Sequence, residues 1–113
     1  MSTDFQTKEA QSIGTSFSDL TPAYPAGEVT VHAVYISNKS VNDVGIYLSL
    51  ADGADTEKAS ILFNVEVPQK STVVVEKPIN LTASDTTATQ RKLRVKASAS
   101  ASLDAVASVL VIT

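Results

Sequence analysis

Residues 93–113 read LRVKASASASLDAVASVLVIT. The middle of this stretch has the composition of a flexible tether, while both ends have that of a protein core. Alternation decides between the two. Successive side chains of a strand face opposite sides of a sheet, and in KLRVKASAS (92–100) Leu93, Val95, Ala97 and Ala99 alternate with Arg94, Lys96, Ser98 and Ser100. LDAVASVLVIT then sets Val106, Leu110 and Ile112 against Ala105, Ala107, Val109 and Val111. A tether does not keep such a code. Residues 92–113 are therefore expected to form a β-hairpin turning near Ser100–Asp104, with Ala99 and Ser100 leaving a shallow surface on which another layer or subunit lies close.

Working outward, the same period of two recurs and helical spacing is scarce. VGIYLSLAD (44–52) places Val44, Ile46, Leu48 and Leu50 on one face; ASILFNVEV (59–67) does so with Ile61, Phe63, Val65 and Val67. DGADTEK (52–58) and PQKS (68–71) read as hairpin connections by their Gly, Pro and Asp content. EVTVHAVYIS (28–37) is apolar on much of both faces, as a central strand is. It lies between the turns TPAYPAG (21–27) and NKSVND (38–43). TVVVEK ends at Pro78, which suits an edge, and INL leads into the polar loop TASDTTATQR. QSIGTSFS, anchored by Ile13 and Phe17, reads as a weaker edge strand. Short strands joined by turns predict an all-β fold, an antiparallel sandwich of about seven to eight strands, Ig-like or jelly-roll-like. The expected core is Val44, Ile46, Leu48, Leu50, Ile61, Phe63, Val65, Val95, Leu110 and Ile112.

With 113 residues the chain has length for one domain. A polar N-terminal arm (1–10), ordered by a partner subunit, is expected ahead of a single sandwich domain (11–113). Only three Phe, three Tyr and no Trp are present, so Val, Ile, Leu and Ala must build the core. MSTDFQTKEAQS has no apolar run behind a basic segment, and no eighteen apolar residues run together, which predicts synthesis in a cytoplasm without a signal or membrane partner. Absence of cysteine removes disulfides, thiolate nucleophiles and cysteine zinc sites. Net charge is −3, yet residues 1–66 carry three basic and nine acidic groups, and residues 67–113 six basic and three acidic.

Candidate chemistry is sparse. Arg91, Lys92, Arg94 and Lys96 lie within six positions, but without interleaved aromatics in an acidic chain they read as a strand face or subunit contact, not as a partner surface for nucleic acid. His32 is the sole imidazole, and no G-x-S-x-G elbow accompanies it. Asp52 and Asp55 share a Gly-containing turn without the D-x-D-x-D-G spacing of a calcium loop, and read as supports of that turn. Neither a catalytic residue, a metal site nor a cofactor is expected. Tyr24, Tyr35 and Tyr47 offer an alternative, a carbohydrate-binding or adhesive module that stacks sugars on aromatic faces.

The order of PAG (25–27), EVTVHAVYISNKS (28–40), IYLSL (46–50), PINLTASD (78–85) and LRVKAS (93–98) resembles the small β-sandwich virion proteins of tailed bacteriophages, which decorate capsids or surround the neck and tail. The resemblance covers roughly residues 22–113 and rests on pattern and composition. TTATQRK (86–92) departs from it as an insertion, expected to be a long, mobile or partner-contacting loop. The resemblance implies a non-enzymatic virion protein assembled in a bacterial host cytoplasm, whose partners are copies of itself and other virion proteins. Expected subunit contacts are Phe5 in the arm, Arg91 and Lys92 in the loop 84–92, and Ala99 and Ser100.

Overall fold

The structure, a computed structural model, describes residues 2–113. Nine strands and no helix occur among them: β1 (Thr3–Ala10), β2 (Ser18–Asp19), β3 (Glu28–Asn38), β4 (Val44–Ala51), β5 (Glu57–Val67), β6 (Thr72–Val75), β7 (Ile79–Thr82), β8 (Lys92–Ala97) and β9 (Leu103–Ile112). They form two antiparallel sheets, one ordered β1-β9-β3-β6 with β7 also on β3, the other β2-β8-β4-β5. β6 and β7 lie end to end along one side of β3. Glu76–Pro78 interrupts them, where proline has no N–H to give the ladder.

Among the connections, only DGADTEK joins hydrogen-bonded neighbours, turning β4 back onto β5. PQKS does not close a hairpin: β5 belongs to one sheet and β6 to the other. Residues 92–113, expected as a hairpin, are likewise not one. Both halves are strands, but β8 pairs β2 and β4 while β9 pairs β1 and β3. SASAS (98–102) is thus the arch by which the chain crosses between sheets, turning at Ala101 (φ 61°). Ala99 and Ser100 are exposed in that arch and not in a strand. The small residues that let layers approach are Ala97, Ala105 and Ala107, all between the sheets.

Residues 3–10, expected as an arm held by a partner, form β1, and its neighbour β9 belongs to the same chain. The eight pairs run from Thr3↔Ile112 to Ala10↔Ala105 without a break. Tyr24, 8% exposed, donates its hydroxyl to Gln6 Oε1 at 3.0 Å and fastens β1 to the body.

The core fills the space between the sheets with Val29, Val31, Val34 and Ile36 of β3, Val44, Ile46 and Leu48 of β4, Leu93 and Val95 of β8, and Leu103, Val109 and Val111 of β9. Of the expected core, Val44, Ile46, Leu48 and Val95 are buried; Leu50 and Ile61 are partly buried against it. Phe63 and Val65 are exposed, and Leu110 and Ile112 are half-exposed. In β5 a bulge explains Phe63, whereas Val65, still paired with inward Ile46, is uncovered because β5 is the sheet edge. Ile46 faces Val65 but Leu48 faces Leu62, so an extra residue enters β5 at Phe63–Asn64, with Asn64 left-handed at φ 51°. An extra residue reverses which face the following side chains occupy. A bulge in β3, between Val31 and Ala33, shifts its inward set from Val29 and Val31 to Val34 and Ile36. That shift is why β3 reads as apolar on both faces.

Candidate functional site

The outer face of the β2-β8-β4-β5 sheet gathers most of the chemistry-bearing side chains. Alternation along β8 sends Leu93, Val95 and Ala97 inward, so Lys92, Arg94 and Lys96 point out, opposite Ala51, Ser49 and Tyr47 of β4. Lys96 Nζ lies 4.6 Å from the ring centre of Tyr47 and 4.9 Å from that of Phe17. Tyr47 meets Phe63 edge to face at 5.2 Å. A row Phe17–Lys96–Tyr47–Phe63 therefore crosses the sheet, the cation held over aromatic faces, worth about 0.5–1 kcal/mol per contact at an exposed site.

Beside this row lies an ion cluster. Lys92, 5% exposed, sets its ammonium 3.0 Å from Asp19 and 2.5 Å from Asp55. Arg94 Nε donates to Asp19 at 2.9 Å, and Arg94 Nη2 to the Phe17 carbonyl at 3.2 Å. Burial pushes the Lys92 ammonium down, but its hydrogen bonds to Asp55 and Asp19 outweigh burial and leave it above the ordinary lysine value. The same hydrogen bond holds Asp55 below the usual carboxylate range. Asp52 accepts the backbone N–H groups of Thr56 and Ala54 at 3.0 and 2.9 Å, which depress it as well. Both aspartates therefore organise the 52–56 turn and its docking on β8. Asp104 is lowered chiefly by the Ser12 N–H, at 2.7 Å, and further by Lys39.

The basic cluster of the sequence is thus engaged inside the chain. Arg91 Nη1 donates to the carbonyls of Ala88 and Gln90, at 3.0 and 2.8 Å. The loop it belongs to is tied to itself and to its surroundings: Gln90 Nε2 donates to the Ser84 carbonyl at 2.7 Å, and Gly53 N–H to the Thr87 carbonyl at 3.1 Å. The long loop expected at 86–92 is a hydrogen-bonded one. Its Lys92, named as a subunit contact, is covered by the chain's own aspartates. Acidic first half and basic second half meet within one molecule.

The structure places the remaining candidates apart. His32 sits exposed at the β3 bulge. Tyr24 is buried, Tyr35 lies on the outer face of the first sheet, and Tyr47 on the outer face of the second. The three tyrosines make no common platform. Phe5 projects from β1, 75% exposed. Sequence reasoning missed Phe17 and Phe63 as surface aromatics, and Asp19 as a partner of Lys92. Only the period-2 placement of Lys96 and Tyr47 was available to find the row.

These hydrogen-bonded and ion-paired groups give a signed expectation. A carboxylate depressed in the folded state adds stability above its unfolded value, near 3.9, and loses it as pH falls through the folded value; Lys92, raised, adds stability below about 10.4 and loses it as pH climbs through its folded value. The urea midpoint is expected to be flat through neutrality and to fall below about pH 4 and above about pH 10. Combining Asp52→Asn, Asp55→Asn and Asp104→Asn should flatten the acid limb. An unchanged limb would show that these carboxylates do not carry it.

The fold and surface define a two-sheet antiparallel β-sandwich whose charges bind its own strands together. Its outer faces bear large apolar side chains. No family model matches the sequence, and no curated protein is similar to it. Among solved structures the chain is similar to the VP2 subviral particle of infectious bursal disease virus, with a TM-score of 0.53 and 12% identity, over 96% of this chain and 32% of that one. A T13 particle of the same virus gives 0.49 and 15% identity, over 96% and 30%. The chain spans about a third of the length of the chains it matches. At this identity the likeness is one of fold, to proteins that form viral particles.

Proposed function

We propose that this chain is a non-enzymatic structural subunit of a virus particle, present in repeated copies and attached to the capsid, neck or tail of a tailed bacteriophage assembled in its host's cytoplasm. The observation that carries the reading is the distribution of side chains. The cluster of Lys92, Arg94, Asp19 and Asp55 holds the chain's own strands, while Phe5, Tyr35, Val74 and Val106 on one broad face and Phe63 on the other remain exposed. Exposed apolar area beyond scattered single residues marks an association surface. The sequence resemblance over residues 22–113 and the viral-particle fold neighbour support the same reading. Phe5, Ala99 and Ser100 are exposed and stand as contacts under this proposal.

Electron microscopy of purified particles provides the test, with quantitative mass spectrometry of the same material. The chain is expected at a symmetric position and in a fixed ratio to the shell protein. Absence from washed particles would overturn the proposal, and glycan binding by the isolated chain would replace it with the carbohydrate-binding reading.

A further inference from the structure

The two long edge strands of the sandwich are built differently. β5 carries three register irregularities against β4, the kind of bulged edge that resists further pairing. β1, with β9 as its one neighbour, pairs over eight residues without irregularity. Its other side is a straight row of unpaired backbone groups.

Which groups these are follows from the ladder. Ser2 and Thr113 exchange both backbone hydrogen bonds, at 2.6 and 2.9 Å. In an antiparallel pair such residues alternate with ones whose N–H and C=O point away from the neighbour. Asp4, Gln6 and Lys8 therefore bond to β9, while Thr3, Phe5, Thr7 and Glu9 present N–H and C=O to the free edge.

We infer that this edge binds the same edge of a second copy, antiparallel about a two-fold axis at Gln6. In that register Thr3 pairs Glu9 of the other copy and Phe5 pairs Thr7. All four edge residues of each chain are used, through eight hydrogen bonds, counting two for each of four pairs. Moving the axis to Phe5 or to Thr7 leaves three such pairs among the described residues. The same register sets Asp4 opposite Lys8, twice, at the closely spaced positions where side chains approach most. Among the described residues Asp4 accepts only a hydrogen bond from Gln6 Nε2, at 2.8 Å, and Lys8 has no ion pair. A lone inward-facing lysine blocks an edge. A lysine answered by an aspartate in one register instead selects a partner. Phe5 of each copy then lies diagonal to the other, within aromatic reach. An isologous contact of this kind is the commonest closed symmetry of soluble oligomers.

This deepens the reading of a repeated subunit by naming one contact between copies. Sedimentation equilibrium of the full chain, from micromolar to millimolar, should give twice the 11.9 kDa chain mass. Thr7→Pro removes an edge N–H that β9 does not use, and should return the mass to one chain with the circular dichroism spectrum unchanged. Lys8→Asp should do the same by setting two carboxylates together. Joining it to Asp4→Lys should restore the dimer. Amide exchange at Phe5, Thr7 and Glu9 should slow with concentration, whereas Gln6 and Lys8 stay protected throughout. A single-chain mass at every concentration, or a dimer that survives both Thr7→Pro and Lys8→Asp, would overturn the inference. Neither outcome touches the particle test above, and a β1 dimer absent from particles would reject that reading alone.

Discussion

Leu48→Ala lowers the stability of this domain by about 2–5 kcal/mol, the range for emptying a closed aliphatic site. Leu48 has no exposed surface and sits mid-strand in β4, between Leu62 of β5 and Val95 of β8. Neighbours on both sides leave little room for collapse into the void. The companion is Phe63→Ala, a larger truncation that should cost no more than about 1 kcal/mol, the worth of its edge-to-face contact with Tyr47. Urea unfolding of both variants measures the contrast. Simple alternation would put both side chains in the core and predict two large losses. Equal costs would mean that the bulge at Phe63–Asn64 does not turn Phe63 outward. A loss below about half a kcal/mol for Leu48→Ala would reject its core position.

That contrast shows where the sequence was legible. In β4 alternation named Val44, Ile46 and Leu48 correctly, because an unbulged stretch with one polar face has a single phase. β5 defeated the same reasoning: an inserted residue has no compositional mark, and Asn64, tolerant of the left-handed region, is the one hint. β9 defeated it differently. Both its faces are apolar, so periodicity finds two candidates and cannot choose. The smaller face went inward, Ala105 and Ala107 with Val109 and Val111, while Leu110 and Ile112 face out beside Phe5 and Glu28.

Pairing was less legible than strand existence. Consecutive strands are usually neighbours, which made a hairpin the default for residues 92–113, yet period-2 patterning says nothing about which strand lies alongside. The ion cluster was beyond reach for the same reason. Lys92 meets Asp19 and Asp55 across 73 and 37 residues of sequence, and only folding reveals that the basic run and the acidic half answer each other. β1, polar on both faces apart from Phe5 and Ala10, lacks the apolar alternation by which a strand is recognised, and so reads as an arm.

Asn38 closes the strand that the sequence singled out as central, and its replacement should be strongly destabilising. The side chain is 2% exposed where the chain leaves one sheet for the other. Nδ2 donates to the carbonyls of Asn42 and Val67, at 2.7 and 2.9 Å; Oδ1 accepts from Ser40 N–H and Ser40 Oγ, at 2.9 and 2.8 Å. One amide thus fixes the 39–43 turn and binds it to the end of β5. Asn38→Ala leaves the buried Val67 carbonyl without this donor and is expected to cost about 3 kcal/mol. Asn38→Asp separates the donor from the acceptor role. Its carboxylate can still receive Ser40 but confronts two carbonyl oxygens, so the charged form is disfavoured and its folded pKa rises. A raised carboxyl destabilises above its unfolded value, near 3.9, and the penalty shrinks as pH falls and the group gains a proton to donate. The stability gap between wild type and Asn38→Asp should therefore be wide at neutral pH and narrow in acid. The acid losses of Asp52, Asp55 and Asp104 are common to both proteins and cancel in that difference. A gap that stays constant with pH would show that the two donated hydrogen bonds are not what holds the crossover in place.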